Sequence, residues 1–263
     1  MSRSSLKNVC RLIKEVQEEI PIEQQFLTDL KRSIELSDAK NRRLPSKTYK
    51  PSSMNCIRNM YFQRVGETPD EADTGYCLIG ICNSGTDIHE RTQKAVADMI
   101  NNNIDCEYIN VAEFVKQRNL DYLDIVSQQG METKLFHKEL NMSFLCDGII
   151  RYKDHYYILE LKTENSNKFY SRNSVDTKHY NQGTAYSIAF GLPEVIFVYI
   201  SRDNLDMKSF MFKPTDEMKQ NLIGKIDLCE QCVNVKTPPP MQMEINKRDC
   251  QYCSYKKVCE ATK

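Results

Sequence analysis

Two mainly apolar segments separated by a short polar pair lie between Met142 and Thr163. The segments Met142–Tyr152 and Tyr156–Thr163 are rich in β-branched, aromatic and apolar residues, and the polar pair Lys153-Asp154 lies between them. This pattern predicts a β-hairpin with a tight turn at the polar pair.

The turn determines which side chains of the hairpin meet. If the chain reverses at Lys153-Asp154, Asp147 lies opposite Glu160 with Cβ atoms about 5 Å apart. Alternation along the strand places Glu160 and Lys162 on one face, and Leu159 and Leu161 on the other. Two carboxylates on an apolar sheet are costly unless something compensates their charge, and a divalent cation with oxygen ligands would do so. The alternative is a hairpin whose charged side chains face water.

The remaining periodicity predicts elements on both sides of this hairpin. Helices are predicted over residues 3–20, around Phe26 to Ile34, and over 52–62, 84–101, 111–116, 174–190 and 215–233, and strands over 132–140, 195–200 and 207–212. We expect Ser52 and Ser53 to cap their helix, and residues 164–172 to form a polar loop that orders on a substrate. The order of the central strands and helices indicates an α/β core with a mixed sheet.

Composition limits the class of protein without naming its partners. The 263 residues suffice for one large domain, or for one domain with an appendage. Because 36 basic residues balance 36 acidic ones, any nucleic-acid surface must be a local patch. The basic stretch Lys40–Lys50 fits a solvated linker better than a phosphate grip. With no long apolar run and no signal peptide at Met1, we expect a soluble, cytoplasmic protein and no membrane partner.

Two predicted helices carry polar side chains of chemical interest. His89 lies at the edge of the packing stripe of the helix that begins near Ser84, where a structural histidine is commoner than a ligand. Lys178, Gln182 and Tyr186 are spaced four residues apart and therefore line one side of a later helix.

Eleven cysteines are an odd and high number for a cytosolic chain, and they favour metal ligation over disulfides. Cys250, Cys253 and Cys259 lie in a segment too short for its own core, which indicates a soft metal centre. Two sources compete for the remaining ligands. The pair Cys229 and Cys232 would give zinc-ribbon spacing, although Cys229 also lies on an apolar helical stripe. Cys56 would instead complete a four-cysteine site of the kind that iron–sulfur clusters use.

Several short motifs together resemble a known family. Gly85-x3-His89, Asp147-Gly148-Ile149, Glu160-Leu161-Lys162 and Gln182-x3-Tyr186 occur in the order and approximate spacing of the RecB-like branch of the PD-(D/E)XK nucleases. Cys56 before this region, and Cys250, Cys253 and Cys259 after it, resemble the cysteine frame of the iron–sulfur members, which include the CRISPR-associated RecB-like nucleases and the AddB-type subunits. The resemblance covers residues 52–260.

The resemblance implies a restriction-endonuclease-like core, with a mixed central sheet flanked by helices, and a set of site residues. His89, Asp147, Glu160 and the Leu161 carbonyl would bind Mg²⁺ or Mn²⁺, and Lys162 would orient the attacking water. Gln182 and Tyr186 would position that water or the phosphate.

It also implies a second centre and a set of substrate contacts. Cys56, Cys250, Cys253 and Cys259 would hold a structural four-iron four-sulfur cluster, with zinc as the less favoured alternative. The basic side chains expected to contact nucleic acid are Arg58, Lys168, Arg172 and Lys178.

We therefore expect three segments: a helical extension with a basic linker over residues 1–50, a nuclease core over 51–236 and a cluster-binding segment over 237–263. The expected activity is hydrolysis of DNA, as an exonuclease on single-stranded ends, since no element for base readout is evident. Residues 1–50 would dock a protein partner or shape an entry path for a strand end. The alternatives are a DNA-binding scaffold that retains the fold, and a zinc-ribbon interaction protein.

Overall fold

The computed structural model describes residues 20–40, 46–70, 75–241 and 247–262. The helix predicted over residues 3–20 lies outside this part except at its last position, and so do residues 41–45 of the basic stretch. The chain divides into two compact units, one within residues 1–43 and 73–81 and the other within 44–72 and 82–263. Within the described residues, no helix is both long and apolar enough to cross a membrane.

The described part of the chain contains nine helices, eight strands and two 3₁₀ turns. The helices are α1 (Ile22–Lys40), α2 (Ile57–Val65), α3 (Tyr76–Ala97), α4 (Val111–Gln117), α5 (Ser166–Ser171), α6 (Tyr180–Phe190), α7 (Asp216–Asn234), α8 (Lys247–Gln251) and α9 (Lys256–Ala261), with single 3₁₀ turns at Pro51–Ser53 and Thr177–His179. The strands are β1 (Cys106–Ile109), β2 (Leu123–Gln129), β3 (Glu132–His137), β4 (Met142–Cys146), β5 (Gly148–Tyr152), β6 (His155–Glu164), β7 (Val195–Ser201) and β8 (Met207–Phe212).

The strands of the larger unit form two sheets. A five-stranded sheet has the order β1-β5-β6-β7-β8, and a three-stranded sheet has the order β2-β3-β4. The pairing of β6 with β7 is parallel, whereas the other pairings in both sheets are antiparallel. The predicted α/β class with a mixed central sheet is therefore confirmed.

Helices cover both faces of the central sheet. Phe197 of β7 belongs to a large buried cluster with Ala185 of α6 and Leu222 of α7. On the other face, Leu161 lies in a second buried cluster against which Val96 of α3 packs. This arrangement confirms the prediction that the apolar strand starting at Val195 is covered on both sides.

The central hairpin is confirmed, but its first strand is shorter than predicted. Lys153 and Asp154 have φ values of 48° and 64°, so a left-handed two-residue turn joins β5 to β6. The register pairs Gly148 with Leu159, as a turn at these positions requires. The prediction of one strand from Met142 to Tyr152 is wrong, because β4 ends at Cys146 and pairs with β3 in the other sheet.

Two helix starts also differ from the predictions. α3 begins at Tyr76 instead of Ser84, so His89 lies in the interior of the helix and not in its first turn. The apolar residues that precede Ser84 continue the helix, and Ser84 does not begin it. The predicted serine caps are wrong as well, because Cys56 is the N-cap of α2 and no side chain caps this helix.

The segment after β6 is helical where a loop was predicted. Asn165 caps α5 by accepting a hydrogen bond from the Lys168 amide, a local signal that the polar composition concealed. The helix predicted from Ser174 begins at Tyr180, after the 3₁₀ turn at Thr177–His179. β1 and β2 were not predicted, whereas the predictions of β8 and α7 are confirmed.

The smaller unit contains α1 and the first residues of α3. The predicted helix around Phe26 is confirmed, yet none of its residues is buried, and Phe26 is 67% exposed. Within this unit the Tyr76 amide donates to Glu35, and the Lys31 ammonium lies 4.8 Å from the centre of the Tyr76 ring.

Candidate functional site

Three ligand-type side chains from different elements meet at one end of the hairpin. One ligand atom each from His89, Glu132 and Asp147 lie within 4.8 Å of one another. His89 comes from α3, Glu132 begins β3, and Asp147 occupies the break between β4 and β5. An imidazole with two carboxylates is a donor set that can bind a divalent metal ion.

Asp147 is the residue that other groups hold most closely. The Leu161 amide donates a 2.6 Å hydrogen bond to Asp147 Oδ2, while Asp147 Oδ1 lies 3.6 Å from His89 Nδ1. The Asp147 carbonyl accepts bonds from Gln93 Nε2 at 2.7 Å and from the Tyr108 hydroxyl at 2.8 Å. These side-chain donors replace ladder bonds where the chain leaves one sheet for the other, so the Asp147 carbonyl is satisfied at the break in the strand.

Gly148 has a steric reason to be glycine. A Cβ atom at this position would lie 2.6 Å from Cε2 of Tyr108, which is the ring whose hydroxyl bonds to the Asp147 carbonyl. The close approach of ring and backbone therefore depends on the missing side chain.

A second group of polar side chains forms a hydrogen-bonded chain beside the first. Lys162 Nζ donates to Glu160 Oε1 at 2.5 Å and to Gln182 Oε1 at 2.9 Å. Gln182 Nε2 donates to Glu160 Oε1 at 2.7 Å and lies 2.9 Å from the Tyr186 hydroxyl. That hydroxyl donates to the Leu145 carbonyl, so the chain ends on the backbone of β4. Glu160, Lys162, Gln182 and Tyr186 are thus held as one unit.

The electrostatics link the two groups. Burial raises the pKa of Glu160 to about 7, because the Lys162 charge only partly offsets the desolvation and Asp147 adds repulsion. The pKa of Glu132 is also raised, first by burial and then by Asp147. Burial lowers the pKa of His89, but the Asp147 carboxylate 3.6 Å away and the charge of Glu160 outweigh it, so that pKa is raised. Acids that resist ionisation and an imidazole that favours its cation both indicate excess negative charge, which a bound cation would relieve.

Sequence reasoning missed Glu132. The β3–β4 ladder pairs Thr133 with Cys146, so the register extended by one residue places Glu132 opposite Asp147. The β5–β6 register extended in the same way places Asp147 opposite Glu160. Recognising residues 132–146 as a second hairpin would have identified Glu132 from the sequence.

The basic residues expected to contact nucleic acid are mostly engaged within the chain. The Arg172 side chain is 7% exposed and forms hydrogen bonds to both carboxylate oxygens of Glu164. Lys168 is half exposed and pairs with Asp176 at 2.9 Å. Lys178 lies in the 3₁₀ turn that directly precedes α6 and forms an ion pair with Asp249. Arg58 is buried against the C-terminal segment.

The cysteines expected to bind a cluster are all partly exposed, and no disulfide involves them. Burial raises the pKa of Cys56, and Cys253 and Cys259 raise it further. The same two cysteines also raise the pKa of Cys250, again after burial. Among the described residues, however, no three of these four sulfurs come within 4.8 Å of one another.

Cys229 belongs to the core and not to this group. It is fully buried on the inner side of α7, where burial raises its pKa to about 11 and the side chain of Tyr49 is a hydrogen-bonding neighbour. Leu222 and Ile226 are buried on the same helix, as the apolar stripe predicted. The structure therefore supports the core assignment for Cys229 over the zinc-ribbon assignment.

No protein-family model matches this chain, and no curated protein matches it in sequence. Among solved structures it is similar to SSO0001, with 14% identity and a TM-score of 0.47 over 90% of this chain and 98% of that one. It is also similar to an alkaline exonuclease (LHK-Exo) from Laribacter hongkongensis, with 11% identity and a TM-score of 0.46 over 73% of this chain and 90% of that one. The structure of LHK-Exo in complex with dAMP has 11% identity and a TM-score of 0.44, over 72% of this chain and 89% of that one.

Proposed function

We propose that this chain is a metal-dependent deoxyribonuclease of the RecB-like PD-(D/E)XK type. The observation that carries the proposal is the convergence of His89, Glu132 and Asp147 beside the linked pair Glu160 and Lys162. A scaffold that merely retained a fold has no need for an imidazole, three acids and an ammonium in one place, since their crowding is costly without a ligand.

The chain would hold Mg²⁺ or Mn²⁺ through His89, Asp147, Glu160 and the Leu161 carbonyl, and Glu132 joins this set. Hard, oxygen-rich sites suit these ions. When bound, the ion supplies a counter-charge beside the scissile phosphate and makes a coordinated water more acidic.

The side chains next to this site would orient the attacking water and position the reactive groups. Lys162 carries the ammonium that orients the attacking water and stabilises the charge that develops on the phosphate. Gln182 orients Lys162 and Glu160 through its hydrogen bonds to both side chains. Tyr186 links Gln182 to the backbone of β4. Gln182 and Tyr186 therefore act by positioning the reactive groups.

For the substrate we propose DNA, taken as single-stranded ends. Lys168 and Lys178 remain the proposed phosphate contacts, because both are about half exposed and their acidic partners can exchange for a phosphate. Arg58 and Arg172 are buried in contacts within the chain, so we assign them no contact with the strand. A protein partner is proposed for residues 1–50, with support from the exposed apolar side chains of α1.

We also propose that Cys56, Cys250, Cys253 and Cys259 hold a four-iron four-sulfur cluster that joins α2 to the C-terminal segment. Their mutual influence on pKa supports a common centre.

Cleavage of labelled DNA tests the proposal. Linear and circular single strands are incubated with Mn²⁺ and with wild-type protein, Glu160→Gln, Lys162→Ala or the control Lys213→Ala, which removes an exposed lysine outside the site. The proposal expects cleavage of the linear strand alone, loss of at least about 10³-fold in both site variants, and no change in the control. Equal cleavage by wild type and both site variants, or none by the wild type, would reject it. Cleavage of the circular strand would show that only the exonuclease assignment is wrong.

A further inference from the structure

Arg58 has an unusual set of partners for a buried arginine. It lies in the first turn of α2 and is 4% exposed. Its Nε donates to Cys259 Sγ at 3.1 Å, and its terminal nitrogens donate to the carbonyls of Pro239, Cys259 and Thr262 at 2.7, 3.1 and 3.2 Å. One side chain thus connects α2, the proline run and α9.

The charge of this guanidinium requires a counter-charge. Arginine stays protonated in proteins, and a buried charge is costly unless it is paired. Across the described residues, the contacts of Arg58 include carbonyls, a hydroxyl and a sulfur but no carboxylate. Cys259 Sγ is the group among them that becomes an anion, and it does so when it ligates a metal.

The same turn of α2 approaches a further cysteine. Asn59 Nδ2 lies 3.5 Å from Cys253 Sγ. Arg58 and Asn59 therefore direct donors at two of the four sulfurs proposed as ligands. Such donors stabilise thiolates and fix their orientation.

We infer that Arg58 is a positioning residue of the cysteine centre, which presents Cys259 to the metal and compensates the negative charge of the thiolates. This inference rests on the four-cysteine centre of the proposed function. It gives the buried guanidinium a role distinct from contact with DNA.

The chemistry predicts two effects of removing the guanidinium. Without the hydrogen bond to Cys259 the sulfur is less well oriented, so the metal leaves faster. Without the positive charge the reduced, more negative state of an iron–sulfur centre is less stable, so its reduction potential falls. A residue with only a packing role would change neither the potential nor the position of the visible absorbance.

The test compares full-length Arg58→Gln and Arg58→Lys with the control Arg64→Gln. Arg64 lies on the same helix and pairs with Glu230. Metal content, visible absorbance, the rate of metal extraction by a chelator and the reduction potential are measured. The inference expects at least about tenfold faster extraction and a more negative potential in Arg58→Gln, partial recovery of the potential in Arg58→Lys, and wild-type values in Arg64→Gln.

Wild-type extraction and potential in Arg58→Gln would overturn the inference. If Arg58→Gln does not fold, Asn59→Ala removes the donor to Cys253 instead. We expect this variant to shift the extraction rate and the reduction potential in the same direction, but by a smaller amount. No shift in Asn59→Ala would also contradict the inference. If the wild-type protein contains zinc, the iron proposal is rejected, and the rate of zinc extraction still tests the role of Arg58. A wild-type protein without metal would overturn both the metal centre and the role of Arg58. DNA cleavage is scored separately, so failure of the nuclease proposal is distinguishable.

Discussion

Glu132 faces Asp147 across the end of the β3–β4 hairpin, one residue beyond the pair Thr133 and Cys146. Asp147 in turn faces Glu160 across the end of the β5–β6 hairpin. The aspartate therefore stands where two hairpins of different sheets meet, and each hairpin contributes one more acid. This crossing concentrates carboxylates without any long-range loop.

The position of Glu132 predicts a role in metal affinity. Glu132→Gln keeps the size of the side chain but removes a charge from the group that includes His89 and Asp147. We expect Mn²⁺ affinity, measured by titration calorimetry, to fall about 10- to 100-fold with little loss of stability. Glu139→Gln, on the exposed turn that follows β3, is the control. Equal affinities of the two variants would exclude Glu132 from the site.

The contact between Gly148 and Tyr108 predicts a specific pair of variants. Gly148→Ala pushes the Tyr108 ring away from the backbone and weakens its hold on the Asp147 carbonyl. We expect the free energy of unfolding to fall by about 1–3 kcal/mol. Urea denaturation of Gly148→Ala, Tyr108→Leu and the double variant measures the coupling. The double variant should lose less than the sum of the single losses, and strict additivity would contradict the clash.

His179 predicts a dependence of stability on pH. Burial lowers its pKa to about 3, and Lys162 lowers it further, while its ring packs on Phe197 and its Nδ1 lies 2.8 Å from the Tyr199 hydroxyl. Because the folded pKa is below the ordinary value of about 6.5, the unfolded chain binds the proton first. The stabilisation is therefore present above pH 6.5 and is lost as the pH falls toward 3.

Between pH 7 and pH 5 this histidine alone should cost about 2 kcal/mol of stability. In His179→Gln that part of the loss should vanish, whereas the exposed His155 can be replaced by glutamine without effect on it. Urea denaturation at the two pH values provides the measurement. An identical loss in wild type and His179→Gln would show that His179 does not stay neutral in the fold.

Much of the site follows from local sequence patterns. The polar pair at Lys153-Asp154 determines the register of the hairpin, and that register alone brings Asp147 to Glu160. The four-residue spacing of Gln182 and Tyr186 likewise holds because both lie in one regular helix. These relationships involve neighbours along the chain or across one turn, where alternation and helical spacing determine direction.

The remaining features depend on contacts that periodicity does not encode. The break at Asp147 is stabilised by Gln93 and Tyr108 from other elements, so the sequence from Met142 onward still reads as one strand. Arg58 and Arg172 look like surface cations in the sequence. Their burial follows from partners as distant as Thr262 and as near as Glu164.

Anomalous scattering from crystals grown with Mn²⁺ tests the central claim most directly. We predict a manganese peak in contact with the imidazole of His89 and the carboxylates of Asp147 and Glu160, at an ion concentration that supports DNA cleavage. Cleavage at that concentration with no manganese at these side chains would contradict the account.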